Sequence, residues 1–114
     1  MIGIVGQGFV GNAVYQKFKK YYDVLTYDIN KELCNSELDN LVSKSDFIFV
    51  CLPTPMDKKG KCDLSILQDS LFEINTLIEF EYGQNKTIII KSTVPPGTTE
   101  ELNRDFKYLD ILFN

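Results

Sequence analysis

Apolar residues along this chain fall into short runs that alternate with stretches of helical spacing. Residues 1–5 are apolar and β-branched and stop at a glycine, which predicts a buried strand. From Phe9 the spacing changes. Val10, Ala13, Val14, Phe18 and Tyr21 recur on one helical face, with Asn12, Gln16 and Lys20 opposite. Residues 24–27 predict a second strand that ends at Asp28, and the polar segment 30–45 a short helix capped by Ser36 and carrying Leu38, Leu41 and Val42. Residues 47–52 form the clearest strand, apolar throughout as expected for a strand covered on both faces, and Pro53 and Pro55 end it.

A polar turn at 57–61, centred on Gly60, follows. Asp63 then caps a long helix whose inward face is Leu64, Leu67, Leu71, Ile74 and Ile78, running to about Tyr82. Residues 87–91 predict a fourth strand, broken by Pro95, Pro96 and Gly97. Thr98 and Glu101 have the spacing of a capping box and open a further helix, and residues 108–113 predict a fifth strand. Strands alternating with helices define an α/β chain with a parallel sheet. With right-handed crossovers the sheet is doubly wound, of about five strands in the order 2-1-3-4-5, with helices on both faces and a switch point between strands 1 and 3.

Length and charge narrow the function. At 114 residues the chain is one domain, with no linker, internal repeat or low-complexity tract. A net charge of -4 with no Lys/Arg block argues against nucleic acid and anionic membranes as partners. Lys17, Lys19 and Lys20 read as the C-terminal turn of a helix, where cations suit the dipole. No stretch approaches the roughly 18 apolar residues of a membrane span, and MIGIVGQG has no basic leader, so a cytoplasmic protein is expected. Three cysteines without a CxxC pair, and no histidine, leave neither a disulfide framework nor a metal site in view.

The first chemical signal is GQGFVG. Gly6, Gly8 and Gly11 occupy the GxGxxG positions, after a strand and at the opening of a helix, and Asp28 ends strand 2, 22 residues after Gly6. In that context Gly6 permits a tight turn, Gly8 lets the backbone approach a pyrophosphate, and Gly11 lets helix and strand pack closely. The N–H groups of the first helical turn, around Phe9 and Val10, face the anion. Asp28 suits the adenosine ribose hydroxyls and repels a 2′-phosphate, which favours NAD over NADP, while Lys31 nearby opposes that preference. The alternative for Asp28 is a cap on the turn into Asn30. Strand 3 ends in CLPTP and strand 4 in KSTVPPGTT, so Pro53, Thr54, Ser92 and Thr93 converge with the glycine loop on one crevice. The alternative for Thr54 and Thr93 is to cap loop backbone beside proline. Cys51, inside an apolar strand, reads as a buried small hydrophobe rather than a nucleophile. Cys34 and Cys62 look incidental, and Lys91 reads as a strand-end lysine whose stem reaches to the surface.

GQGFVG, FIFVCLPTP with its polar turn and DLS (Asp63 to Ser65), and KSTVPPGT, in this order and spacing, resemble the N-terminal domain of the UDP-glucose/GDP-mannose dehydrogenase family. The resemblance implies a Rossmann-type domain of an enzyme that oxidises the C6 alcohol of a nucleotide-linked sugar to a carboxylate in two NAD-dependent steps. It implies that Gly6, Gly8, Gly11 and Asp28 hold the cofactor and that Thr54 lies beside it. Thr93 would approach the reaction centre and help position a water or the substrate. Two departures stand out. Residues 29–46 are fewer than the family's connection at that point, so five strands rather than six are expected, with a thinner edge beyond strand 2. The family's nucleophilic cysteine, its partner lysine and aspartate, and its dimer-forming helix all lie beyond a strand resembling ILFN.

The expectation is therefore a truncated dinucleotide-binding domain over 1–114. It would bind NAD and meet a nucleotide sugar only with a missing catalytic domain or a partner chain. Homo-oligomerisation is open, and so is whether the chain is itself an enzyme. Three rivals remain: a non-enzymatic dinucleotide sensor or regulatory module; an adenosylmethionine-dependent methyltransferase, in which STVPPGT has no role; and a degenerate remnant that binds nothing, against which the intact glycine motif and Asp28 speak.

Overall fold

The computed structural model describes residues 1–114, the side chain of Tyr82 excepted. Strands β1 (Ile2–Val5), β2 (Val24–Tyr27), β3 (Phe47–Val50), β4 (Lys86–Ile90) and β5 (Leu109–Phe113) form one parallel sheet in the order β2-β1-β3-β4-β5. Helices α1 (Phe9–Phe18), α2 (Leu38–Lys44), α3 (Ser65–Leu77) and α4 (Thr98–Asp105) connect them, with a 3₁₀ turn at Lys31–Leu33 and a π-helical turn at Ile78–Tyr82. Strand number, order and direction are those expected from the sequence. Among the described residues no helix is long and apolar enough to cross a membrane.

Register separates the two faces of the sheet. Val5, Val50 and Ile90 stand in one row across β1, β3 and β4, and Gly3, Ile48, Ile88 and Ile111 in another. All the isoleucines and valines of these rows are buried, and they form the core with Leu38, Leu41 and Val42 of α2, Leu67, Leu71 and Ile74 of α3, and Leu102 of α4. Gly3 is where α2 packs tightly on β1. A Cβ there would lie 2.5 Å from both Leu41 and Ser45. Only α1 covers the opposite face. Its register row Ile4, Thr26, Phe49, Ile89 and Leu112 is buried at Ile4 and Thr26 but open toward β5, where Leu112 is 56% exposed.

Several sequence expectations require correction on this frame. β3 is covered fully on one face only: Phe47 is half exposed and Phe49 half buried, because on their side α1 reaches Phe49 through the Phe18 ring but leaves Phe47 open. On α1 the inward stripe is Gly11, Val14, Tyr15 and Phe18, whereas Val10, Ala13 and Tyr21 are exposed. Ser36 does not cap α2. Its hydroxyl donates to the Glu37 carbonyl and accepts from Asn40, and Glu37 takes the N-cap position. The capping box at Thr98 does not form, since left-handed Gly97 (φ 86°) is the N-cap and Thr98 is already helical and buried. Asp63 does serve the start of α3. Its carboxylate accepts from the Ser65 N–H at 2.9 Å, and that bond holds its pKa below the usual value.

The thin edge beyond β2 is closed mainly by Asn35, with the Ser36 N–H also donating to the Thr26 carbonyl at 3.1 Å. Asn35 accepts from the Thr26 N–H at 2.8 Å and donates to the Val24 carbonyl at 3.2 Å through its side-chain amide, imitating a neighbouring strand. Its own N–H lies 3.0 Å from the Thr26 hydroxyl. An edge of unpaired backbone groups is otherwise a template for aggregation. Asn35→Ala should cost about 1–2 kcal/mol, the net worth of the bonds lost, when measured by chemical denaturation. Asn35→Asp, which cannot donate to Val24, should recover at most part of it.

Candidate functional site

The turn from β1 into α1 is built by two glycines in contact. Gly6 has φ 97°, and a Cβ on it would lie 2.4 Å from the Cys51 carbonyl oxygen at the end of β3. A Cβ on Gly11 would sit 1.8 Å from the Gly6 carbonyl oxygen. Neither position accepts any other residue without moving backbone. Gly8 is different. It is the N-cap of α1, and a Cβ there would meet nothing within 4 Å. The ten-residue helix that begins here has no side-chain cap and no acidic residue in its first turn. Its opening N–H groups and the positive end of its dipole thus have no side-chain partner among the described residues.

Asp28 lies at the end of β2 beside this loop, half buried. One carboxylate oxygen accepts from the Gln7 N–H at 2.7 Å and the other from the Asn30 N–H at 2.8 Å. It therefore caps the turn into Asn30 and also braces the glycine loop, with lone pairs left on both oxygens. Lys31 turns away from it. Its ammonium pairs with Glu37 at 3.0 Å and stands over the Tyr27 ring, and the hydrogen bond to Glu37 raises its pKa.

Alongside the α1 N-terminus runs a crevice of about 430 Å³, floored by the carboxyl ends of β3 and β4 and lined by Gly8, Phe9, Val10 and residues 51–54 and 91–93. The structure thus brings Gly8, Phe9, Val10, Pro53, Thr54, Ser92 and Thr93 together, with Gly6, Gly11 and Asp28 supporting the loop and Lys31 outside. The Ser92 hydroxyl is buried and spent on the Leu52 backbone, donating to its carbonyl at 2.6 Å and accepting from its N–H at 3.0 Å. The Thr54 hydroxyl donates to the Thr93 carbonyl at 2.6 Å. Both residues clamp the two loops to each other. Thr93 itself is exposed, and among the described residues no hydrogen bond holds its hydroxyl.

Two lining residues take a more prominent place than the sequence suggested. Lys91 lines the crevice, and its ammonium reaches the surface as expected, where it donates to the Asn114 side chain at 3.3 Å. Cys51 is half buried and also lines the crevice, since its strand has ended one residue earlier. Burial pushes its thiol up to about 11, against a smaller opposing pull from Lys91. The thiol is protonated at neutral pH, which agrees with the reading against a nucleophile. Cys51 should therefore alkylate about a hundredfold more slowly than a free thiol at pH 8 and accelerate as pH rises toward 11. Mass spectrometry of iodoacetamide-treated protein reads this directly.

Comparison with known proteins places the chain in a family. The sequence profile of the UDP-glucose/GDP-mannose dehydrogenase family, NAD binding domain, matches residues 33–108. The chain belongs to that family. A UDP-N-acetyl-D-mannosamine dehydrogenase of Methanocaldococcus jannaschii is 35% identical over 131 residues, covering 89% of this chain and 30% of its own length. An uncharacterized protein of the same organism is 37% identical over 94 residues, covering 80% of this chain and 10% of its own. In the UDP-glucose dehydrogenase of Pyrobaculum islandicum the same fold recurs with a TM-score of 0.84 at 20% identity, over 99% of this chain and 35% of that one. The chain thus spans 30% of the length of the curated Methanocaldococcus jannaschii dehydrogenase and 35% of the Pyrobaculum islandicum one. The alignment with the Methanocaldococcus jannaschii dehydrogenase is longer than this whole chain, so the relative carries residues that the shorter chain lacks. The short segment between β2 and β3 is in keeping with that.

Proposed function

We propose that the crevice binds NAD and that this chain supplies the cofactor-binding part of a nucleotide-sugar 6-dehydrogenase, without turning over a nucleotide sugar by itself. The observation that carries this reading is the α1 N-terminus. It has no side-chain cap, it carries no first-turn carboxylate, and it opens at Gly8 onto empty space beside the crevice. A pyrophosphate is the ligand those N–H groups suit. Asp28 offers its remaining lone pairs to the adenosine ribose. Lys31 is turned to Glu37, in an exposed pair, rather than to Asp28, which supports NAD over NADP.

When bound, the dinucleotide supplies a hydride acceptor. The residues of this chain hold and orient it. Gly8, Phe9 and Val10 present backbone N–H groups, Pro53 and Thr54 shape the wall, and Ser92 fixes the β3–β4 junction from which Thr93 projects. The Thr93 hydroxyl is the side-chain group left over, and it serves to position a water or the sugar. Oxidation to a carboxylate by way of a held aldehyde also needs a nucleophilic thiol. Cys51, with its raised pKa, does not fill that role, so we assign the second half of the chemistry to polypeptide outside this chain. The three unpaired cysteines suit the reducing cytoplasm.

Calorimetric titration with NAD and NADP tests the reading, and Gly8→Ala is its sharpest variant. The new methyl meets nothing in the protein and φ is −70°, so the fold should be unchanged. It should nevertheless obstruct backbone bonds to a charged ligand worth about 1.5–3 kcal/mol each, a loss of roughly ten- to a hundredfold in NAD affinity. Asp28→Ala should also weaken NAD, with some loosening of the loop it braces. Folded wild-type protein that binds neither dinucleotide, or a Gly8→Ala variant that binds as wild type, would overturn the proposal.

A further inference from the structure

A second cleft lies on the α1 side of β2, and it shares no lining residue with the crevice. It follows from the way the sheet edge is closed. After β2 the chain turns through Lys31–Leu33 and runs back beside the strand, where the Asn35 side chain bonds to Val24 and Thr26. This returning segment stands where a further strand would stand, while α1 packs over β1 and β2. Between the helix and the segment is a cleft of about 380 Å³, lined by Gln7, Asn12, Tyr15, Thr26 and residues 32–35. That volume falls within the range of small-ligand sites.

Two of its polar side chains are more than nine-tenths buried. Thr26 is 3% exposed. Its hydroxyl accepts from the Asn35 N–H at 3.0 Å, and the hydroxyl proton meets no acceptor among the described residues. Gln7 is 7% exposed, and its Nε2 donates to the Gly6 carbonyl at 3.3 Å. That bond fixes the amide's orientation, because a flipped group would set two oxygens against each other. Gln7 Oε1 is thereby turned away from the glycine loop. It accepts no hydrogen bond among the described residues, yet it is not sealed in the interior as the unpartnered Ser45 hydroxyl is. An acceptor so held is presented to the cleft.

The rest of the lining adds a charge. Glu32 is the one carboxylate among the lining residues, and it makes no ion pair among the described residues. Lys31, its neighbour in sequence, pairs with Glu37, and Lys19 stands over the Tyr15 ring. The Asn35 side chain, by contrast, is spent on the β2 edge.

We propose that this cleft is a second ligand site, for a small organic cation that also carries a hydroxyl. The cationic end pairs with Glu32. A hydroxyl suits the other end because it can donate to Gln7 Oε1 and accept from the Thr26 hydroxyl at once. The site is independent of the dinucleotide reading of the crevice.

Titration of the full chain, followed by amide NMR, tests it with aminobutanol as the cationic probe and butanediol as the uncharged control. Aminobutanol should give saturable shifts at Gln7, Thr26 and Cys34, with a roughly millimolar dissociation constant, and leave Thr54 and Thr93 unmoved. Butanediol should bind about fivefold more weakly, the upper end of what an exposed ion pair contributes, and Glu32→Gln should weaken aminobutanol by the same factor. Glu32 is exposed, so the variant should fold, and circular dichroism checks this. Shifts that rise without saturating, equal affinity for butanediol, or a folded Glu32→Gln variant that binds as tightly as wild type would each overturn the proposal. No dinucleotide enters the titration, so such a failure leaves the NAD reading standing.

Discussion

The contact between Gly11 and the Gly6 carbonyl is the constraint on which the site depends. It brings α1 against the end of β1 at backbone distance, and Gly6 in turn lies against the Cys51 carbonyl at the end of β3. Three elements are thereby fixed at the point where strand order reverses. No side chain can substitute for this, because a single Cβ at either glycine would occupy space already held by a carbonyl group. The mouth of the crevice, the direction of the α1 axis and the exposure of its first N–H groups all follow from that approach.

The direction of the crossovers sets the remaining asymmetry. Three helices share one face with the continuous core of valine, isoleucine and leucine, while the other face has α1 alone. The same topology thus produces a well-buried scaffold beneath the crevice and an apolar strip beside α1. Closure of the β2 edge is a separate solution at lower cost in residues. Where a further strand would supply a ladder of backbone groups, Asn35 supplies one amide that pairs with both Val24 and Thr26.

Strand number, order and the location of the crevice were legible because they rest on strong local signals: apolar runs bounded by glycine or proline, and a glycine pattern whose spacing makes sense only between a strand and a helix. The half-open face was not legible. Phe47 and Phe49 are as apolar as Ile48 and Val50, and nothing within FIFV states which neighbours are covered; that depends on which way every other connection crosses. The caps were misread for a related reason. Ser36 and Thr98 have the right side chains, but Glu37 and Gly97 take the cap positions through backbone conformation, which composition does not reveal. Asn35 escaped notice because its partners are backbone groups nine and eleven residues back.

The alternatives posed for the polar residues at the crevice turn out not to exclude each other. Asp28 caps its turn and braces the loop, Ser92 ties two strand ends together, and Thr54 clasps the loop that bears Thr93. These bonds consume side-chain donors that might have contacted a ligand directly. In return they hold the backbone still, so that little is lost in ordering it when a ligand arrives. In the proposed function, recognition falls to groups the fold leaves unspent: the first N–H groups of α1, the second lone pairs of Asp28, and the hydroxyl of Thr93. A dinucleotide, with an anion at its centre and hydroxyls on either side, is the ligand whose chemistry those leftovers match.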